Sequence, residues 1–479
     1  MNSSTTLPTL LDRLEAAKRQ FDPGAQAHTA KLLSTLDRRV FPDAQSLIRF
    51  HESLLFFRAH PASEEIRRLA VTLLAGFHER VARLRRSEAD LEPFEEPDVS
   101  GISGTAFSAI FTYDIARWLA HQHPTRVAID WDSTDPTLLG PLLRRLHPFF
   151  AEDLLVEANI PYLDWFRAAK KGRGSDLQWL ISRIQEFPIT PEERAELYAG
   201  AKIAIRWTLG HGSMTRSNIH LSGVRKFFYH DGPLLKRAQV SIAPELESPK
   251  LAIRKLNRAS GEQFLDLARE TSAMRYRELH GFTYGDPASV IHTELGRGVE
   301  VFVAGVPKQH RLPLRTYHAG MFFKNAVPIG YIECLTLFDR MEVGFNLYYT
   351  FREGETAWLY ARLLHLFRQL LGVNYFAVDP YQIGLHNPEA IDSGAFWFYR
   401  KLGFRPTDPK VGHLLKSEEK KLRADPNHRT PPSTLRRLAA GWMIYEVPGA
   451  KPGKYDNFEV RRLAMRGAGR GAGPRPAKS

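Results

Sequence analysis

Residues 341–364 read MEVGFNLYYTFREGETAWLYARLL and decide the fold of the C-terminal half. The first part is rich in phenylalanine and tyrosine, which is typical of a strand. A helix is predicted from about Glu355 to Leu371, because Gly372 can end it. The turn between them has the outline of a loop that binds phosphate through the N–H groups and the dipole of a helix N-terminus.

The segments around this stretch alternate between strands and helices. Lys324-Asn325-Ala326 predicts a hairpin turn between two of the strands. A helix is predicted over Ala395–Leu402, and 411–440 predicts two charged helices. The remaining predicted strands are GVEVFVAGV (298–306), RTYHAGMFFKN (315–325), VPIGYIECLTL (327–337), NYFAVDP (374–380) and GWMIYEV (441–447). This order predicts an α/β domain with a mixed sheet.

The first half of the chain has mostly helical patterns. Ser63 and Thr190 are predicted helix caps, the first for a helix over 63–86, and RVAIDWD at 126–132 predicts a lone strand. We therefore expect a mostly α-helical N-terminal domain followed by an α/β domain. The predicted divisions are a helical domain over 1–250, an α/β domain over 251–448 with a helical insertion at about 408–440, and a basic, Gly/Arg-rich disordered tail over 449–479.

Composition limits the classes of function. The 479 residues carry a net charge of +13, which suits acidic partners in general. Cys334 is the single cysteine, so neither a disulfide framework nor a multi-cysteine metal site is expected. The N-terminus lacks the apolar core of a signal peptide, and no apolar run is long enough to span a membrane. We expect a cytoplasmic protein without a metal.

GAFWFYRKLGFRP, residues 394–406, carries the sequence signal that is most specific for a function. It resembles the closing motif of the GNAT superfamily of acyl-CoA N-acyltransferases, in which such a tyrosine lies beside the thioester sulfur. NYFAVDP falls where that family has the strand that splays away to open the donor cleft. The resemblance covers the C-terminal domain only. It implies a GNAT-like fold, acyl-CoA or acetyl-CoA as co-substrate, and an amine as acceptor.

The resemblance also implies a donor site. Its residues would be Arg352, Glu353, Gly354, Thr356, Ala357 and Asn387. Arg352 and Ala357 match the ends of the family's pyrophosphate loop, but Glu355 stands where the family has a glycine. Two like charges about 4 Å apart repel by about 4 kcal/mol at an effective dielectric constant of 20. If the donor binds here, Glu355 must point to solvent or pair with a basic residue such as Arg352.

The resemblance implies roles for three ionisable side chains. Tyr399 would donate a proton to the leaving thiolate, because a phenol of pKa about 10 is only slightly mismatched to a thiol of pKa about 8.5. Glu342 is the predicted base that accepts the proton of the amine, and Glu333 is the reserve choice. The segment RELHGFTYGDP offers four further residues that could line the acceptor site: Arg277, His280, Tyr284 and Asp286.

A second interpretation remains open. Asn387 and Tyr399 are further apart than the family usually has them, and acidic residues such as Glu353 and Glu355 stabilise a first helical turn without any ligand. The chain could therefore be a catalytically inactive GNAT-fold protein that binds a partner or nucleic acid through its helical half and basic surface. We prefer the N-acyltransferase, which would transfer acyl groups other than aminoacyl groups.

Overall fold

The computed structural model describes residues 6–146, 160–172, 174–210, 212 and 214–459. Its first helices are α1 (Leu7–Ala17), α2 (Pro23–Asp37), α3 (Ala44–Ala59), α4 (Glu64–Ala75) and α5 (Phe77–Arg86). Ser63 caps α4 as predicted, since its hydroxyl accepts the Ile66 N–H at 3.3 Å. The single helix predicted over 63–86 divides at Gly76, which belongs to neither α4 nor α5.

The next part of the chain is a small unit with its own sheet. Its strands are β1 (Ala106–Ile110), β2 (Val127–Ile129) and β3 (Ala204–Thr208), and its helices are α6 (Tyr113–Gln122), α7 (Gly140–Leu146), α8 (Tyr162–Lys170), α9 (Asp176–Gln185) and α10 (Pro191–Gly200). The strand predicted in 126–132 is therefore not alone: β3 lies between β1 and β2, antiparallel to both. The capping box predicted at Thr190 is present at the start of α10.

A nine-stranded mixed sheet dominates the C-terminal region, so the coarse α/β prediction is confirmed. Its strands are β4 (Arg254–Lys255), β5 (Ile291–Gly296), β6 (Val299–Gly305), β7 (Thr316–Lys324), β8 (Val327–Leu337), β9 (Arg340–Leu347), β10 (Tyr375–Val378), β11 (Arg405–Pro406) and β12 (Met443–Glu446). The sequence did not predict β4, β5 or β11. The order across the sheet is β11-β12-β10-β9-β8-β7-β6-β5-β4, and β9 with β10 is its parallel pair.

Helices connect and cover these strands. They are α11 (Ile242–Leu246), α12 (Arg258–Ala273), α13 (His280–Thr283), α14 (Thr356–Leu371), α15 (Pro380–Ile383), α16 (Pro388–Asp392), α17 (Ala395–Lys401), α18 (Pro409–Ala424) and α19 (Pro432–Leu438). The helix α14 makes the crossover between the parallel strands and ends at Gly372, whose φ of 65° is left-handed. The predicted turn between β7 and β8 is also present, since Asn325 and Ala326 have φ angles of 48° and 69°.

The parallel strands separate soon after they meet. β10 pairs with β9 only at Arg340–Glu342, whereas β9 continues to Leu347 beside β8. β10 cannot follow it, because Asp379 caps the short helix α15 and Pro380 has no N–H to donate. The C-terminal half of β9 therefore faces a gap in the sheet.

The hydrophobic cores do not follow the predicted boundary near residue 250. One core joins α1–α5 to the large sheet and its helices, and a second lies within the unit that contains β1–β3. Buried polar groups also cross the boundary: Glu52 of α3 accepts hydrogen bonds from Arg216, at 2.6 Å, and from the Thr350 hydroxyl. The first helices are thus part of the structure that supports the loop after β9.

The C-terminal segment is folded beyond the predicted start of the tail at residue 449. Tyr455 is buried, its ring lies 4.8 Å from that of Tyr375, and its hydroxyl donates to Asp339. Residues 460–479 of the predicted tail lie outside the described residues. In the described ranges, no helix combines the length and the apolar character needed to cross a membrane.

Candidate active site

The loop after β9 presents the N-terminus of α14 to a basic cavity. The N–H groups of Thr356, Ala357 and Trp358 form the first turn of this helix, and they have no acceptor within the described chain. A cavity of about 590 Å³ lies beside them. The charged residues that line it are four basic ones, Arg19, Lys236, Arg237 and Arg352, and one acidic one, Glu353. Free amides, a helix dipole and positive side chains together favour an anion.

Glu355 points away from this cavity. Its side chain is only 4% exposed, and Arg297 donates two hydrogen bonds to its carboxylate, one of them from Nε at 2.8 Å. The ammonium of Lys324 lies 3.6 Å away, and the Leu235 N–H donates at 3.1 Å. Burial would raise the pKa of Glu355, but Arg297 and Lys324 hold it below its usual value. The predicted repulsion of a phosphate is therefore avoided, through Arg297 rather than Arg352.

The other predicted loop residues have separate roles. Arg352 forms an ion pair with Glu389, and Glu353 with Arg19 at 2.7 Å. A side chain on Gly354 would bring its Cβ within 2.9 Å of Nε2 of His60. Gly354 is thus needed for close packing on His60, the residue that follows α3.

A second cavity, of about 290 Å³, lies in the gap between the separated strands. Arg352, Thr356 and Phe398 line both cavities, so the two meet at the start of α14. Tyr399 lies in its wall, buried, with its hydroxyl 3.5 Å from Oε1 of Gln382. Burial raises the pKa of Tyr399, which keeps the phenol protonated at neutral pH and makes it a weaker acid than predicted.

Gln382 is a cavity residue that the sequence analysis missed. It follows β10, and its side-chain oxygen accepts the Phe345 N–H at 3.4 Å, which is a long hydrogen bond. Phe345 lies beyond the part of β9 that pairs with β10. The room for Gln382 comes from Gly344, since a Cβ there would lie 3.1 Å from Nε2 of Gln382. No local pattern marks a glutamine that substitutes for a missing strand partner.

The two predicted bases occupy different environments. Glu342 lies where β9 still pairs with β10, and Arg315 and Arg340 each donate to its carboxylate at 2.7 Å. It is not among the residues that line the cavity with Tyr399. Glu333 of β8 lies opposite Gly344, on the face of the sheet that carries Gln382, and the Tyr317 hydroxyl donates to it. Neither Glu333 nor Glu342 lines the cavity that contains Tyr399, but Glu333 is level with the gap in the register of the sheet, whereas Glu342 is level with the part of β9 that pairs with β10.

Asn387 also lines the gap, although its distance from Tyr399 along the chain is unusual. Its side-chain oxygen accepts the Ala390 N–H at 3.2 Å and so caps α16, while Nδ2 donates to the Tyr381 carbonyl at 3.1 Å. The extra residues between Asn387 and Tyr399 form α16 and the turn at Gly394, which has a φ of 68°. The insertion is thus accommodated as a separate short helix.

Of the four residues suggested for the acceptor site, Arg277 reaches the gap. His280 donates to the His310 carbonyl at 3.0 Å, Tyr284 donates to Asp114 at 2.8 Å, and Asp286 accepts the Ala288 N–H at 2.9 Å. These three contacts stabilise the connection between α12 and β5. Arg277 alone of the four faces the cavity that contains Tyr399.

Comparison with protein-family models, with curated proteins and with solved structures finds no match to this chain. Its function is therefore inferred from the two cavities and the residues around them.

Proposed function

We propose that this protein is an N-acyltransferase with a GNAT-like fold, which moves an acyl group from acyl-CoA or a related thioester to an amine. One observation carries the proposal: β9 and β10 part next to the N-terminus of α14, where a basic cavity and the cavity of Tyr399 meet. A thioester donor of this class has phosphates at one end and an amide-containing arm at the other. The two connected cavities suit these two ends.

The residues present fit such a donor. The phosphates would be held by the amides of Thr356 and Ala357 together with Arg352 and the other basic residues of the first cavity. The arm would lie along the part of β9 that has no strand partner, where backbone groups can bind an extended chain by β-augmentation. Tyr399 lies beyond this position, at the wall where the reacting thioester would be.

In the proposed reaction the acceptor nitrogen attacks the thioester carbonyl, so that a C–N bond forms and the C–S bond breaks. The amine loses one proton, for which Glu333 is now the better-placed base, because Glu342 is engaged by two arginines. The sulfur leaves as a thiolate. Because burial raises the pKa of Tyr399, we assign it hydrogen-bond donation to the sulfur rather than complete proton transfer.

The first test is calorimetry of the full chain with acetyl-CoA, together with release of the CoA thiol in the presence of amines. We expect binding in the wild type. Tyr399→Phe should keep the binding and lower kcat by about 10²-fold, as loss of one preorganised donor does. Tyr445→Phe is the matched control, since its ring lies 5.6 Å from Phe404 in the same aromatic cluster but outside the cavity. No binding of any acyl-CoA would overturn the proposal.

Three contacts favour the alternative, a GNAT-fold protein that binds a partner without catalysis. Gln382 bridges the gap, Tyr317 donates to Glu333, and arginines hold Glu342. In that case native mass spectrometry of the purified protein would find no retained CoA species, and Tyr399→Phe would change no activity. A retained CoA species would favour the enzyme.

A further inference from the structure

Arg277 carries a charge that the protein leaves largely unmatched. It follows α12 and lines the same cavity as Tyr399, and its side chain is 33% exposed. Nη1 donates to the Tyr331 hydroxyl at 3.3 Å. The ion-pair partner of Arg277 is Asp98, whose Oδ1 lies 4.0 Å from Nη2. A guanidinium has five N–H donors. Most of the donors of Arg277 therefore have no acceptor among the described residues.

Further positive charge lies behind Arg277. Arg275 is buried with its guanidinium 4.0 Å from the centre of the Tyr348 ring, and it donates to the Thr271 carbonyl at 2.7 Å. Arg216 is buried as well and is paired with Glu52. Burial lowers the pKa of Arg275 to about 10, so it remains charged at neutral pH. Arg216 and Arg275 thus share one buried carboxylate, that of Glu52, whereas the nearest acid of Arg277 is Asp98, and Glu389, the acid in the cavity, is paired with Arg352.

The positive charge of Arg277 and of the arginines behind it selects among possible acceptors. A guanidinium binds carboxylate or phosphate through paired hydrogen bonds, whereas it repels the second ammonium of a diamine. Nearby positive charge also disfavours the ammonium form of the acceptor and so favours the neutral amine that can attack. If an acceptor has both an amine and an anionic group, the guanidinium binds the anion and the positive charge favours the neutral form of the amine.

We infer that the acceptor is an amine that also carries an anionic group, a carboxylate or a phosphate, and that Arg277 binds this group. The inference rests on the proposed N-acyltransferase function. Arg277 then determines specificity for the acceptor, while donor binding depends on the cavity at the start of α14.

The test compares amines that differ only in the anionic group, with acetyl-CoA as donor and release of the CoA thiol as readout. The pairs are amino acids against their amides, and phosphoethanolamine against ethanolamine, with putrescine as a diamine. We expect kcat/KM to be at least about tenfold higher for the anionic member of a pair, which corresponds to one charged hydrogen bond. Whether the amino acids or phosphoethanolamine gain more identifies the anion.

Arg277→Met should abolish this preference, and Arg277→Lys should restore part of it, while calorimetric binding of acetyl-CoA stays unchanged in both. Arg183→Met, at an exposed helix position in the unit with β1–β3, is the control for loss of a surface charge. Equal kcat/KM within the pairs, or a preference that survives Arg277→Met, would overturn the inference. If acetyl-CoA binds but no amine reacts, calorimetry with the same pairs decides, since only the anionic members should bind and only with Arg277 present.

The two proposals fail in different ways. If the wild type binds no acyl-CoA, the proposed function is wrong. The anion site is then tested alone, by titrating phosphoethanolamine and ethanolamine into the wild type and into Arg277→Met. Binding of phosphoethanolamine that disappears in the variant would support an anion site at Arg277, and equal behaviour of the two proteins would exclude it.

Discussion

An ion pair between Glu355 and Arg297 holds the Glu355 carboxylate away from the basic cavity at the start of α14. The two residues are 58 positions apart, and the loop before β6 brings the guanidinium beneath the start of α14. Lys324, at the end of β7, supports the same carboxylate. The loop therefore keeps its amides available although it carries an acid at the position where the resemblance predicts a glycine.

The first prediction concerns this ion pair. Arg297→Met should lower the free energy of unfolding by about 3 kcal/mol, the lower end for a broken buried pair, because Lys324 still faces Glu355. Adding Glu355→Gln should deepen the loss, since the buried Lys324 ammonium then has no carboxylate beside it. Urea unfolding of the two variants measures this. A double variant that is more stable than Arg297→Met would contradict it.

Acid sensitivity follows from the histidines packed beside this cluster. Burial, with a smaller contribution from Lys324, lowers the pKa of His230 to about 3. The unfolded chain binds a proton there below about pH 6.5, so stability should fall as the pH drops, by about 1.4 kcal/mol per unit at most. His230→Phe should reduce the slope of stability against pH between 6 and 4.

The sequence was sufficient for features that depend on neighbouring residues. The hairpin at Asn325, the end of α14 at Gly372 and the cap at Thr190 follow from local backbone preferences, and the structure has all three. Short strands such as β3 were missed, because five residues offer too few positions to establish a periodic pattern.

Contacts between distant segments could not be predicted. His51 places its two ring nitrogens 3.0 Å from Glu52 and 2.9 Å from the Ser217 hydroxyl, 166 residues along the chain. This arrangement resembles a catalytic triad only in its connections, since all three side chains are buried. The choice between Glu333 and Glu342 likewise required the register of β8 against β9 and the positions of two arginines.

The phosphate end of the proposed donor site gives a third prediction. Arg352→Met should weaken CoA binding by about tenfold to a hundredfold at low salt, because a charged hydrogen bond contributes about 1.5–3 kcal/mol. Arg368→Met is the control: Arg368 lies in the last turn of α14, at the end away from the cavity, and pairs with Glu247 at 2.9 Å. Calorimetry at two salt concentrations measures both. Equal losses in the two variants would point to general electrostatics instead of a site.

Gln382 gives a fourth prediction. Its side-chain oxygen accepts the Phe345 N–H, which the arm of the donor would otherwise bind. Gln382→Ala should tighten CoA binding about three- to tenfold, the equivalent of one displaced hydrogen bond. Binding of adenosine 3′,5′-bisphosphate, which lacks the arm, should not change. Gly344→Ala should act in the same direction, because its Cβ would lie 3.1 Å from Nε2 of Gln382. If Gln382→Ala strengthens the binding of CoA and of adenosine 3′,5′-bisphosphate equally, then Gln382 does not act on the arm of the donor.

The last prediction separates the two glutamates. Glu333→Gln should lower kcat by about 10²–10⁴-fold and leave CoA binding intact, as expected for a general base. Glu342→Gln should instead destabilise the fold, because Arg340 is buried and loses the charge that compensates it. Thermal unfolding and single-turnover rates distinguish these outcomes. If only Glu342→Gln lowers the rate, and its stability is unchanged, then Glu342 of β9 is the base rather than Glu333.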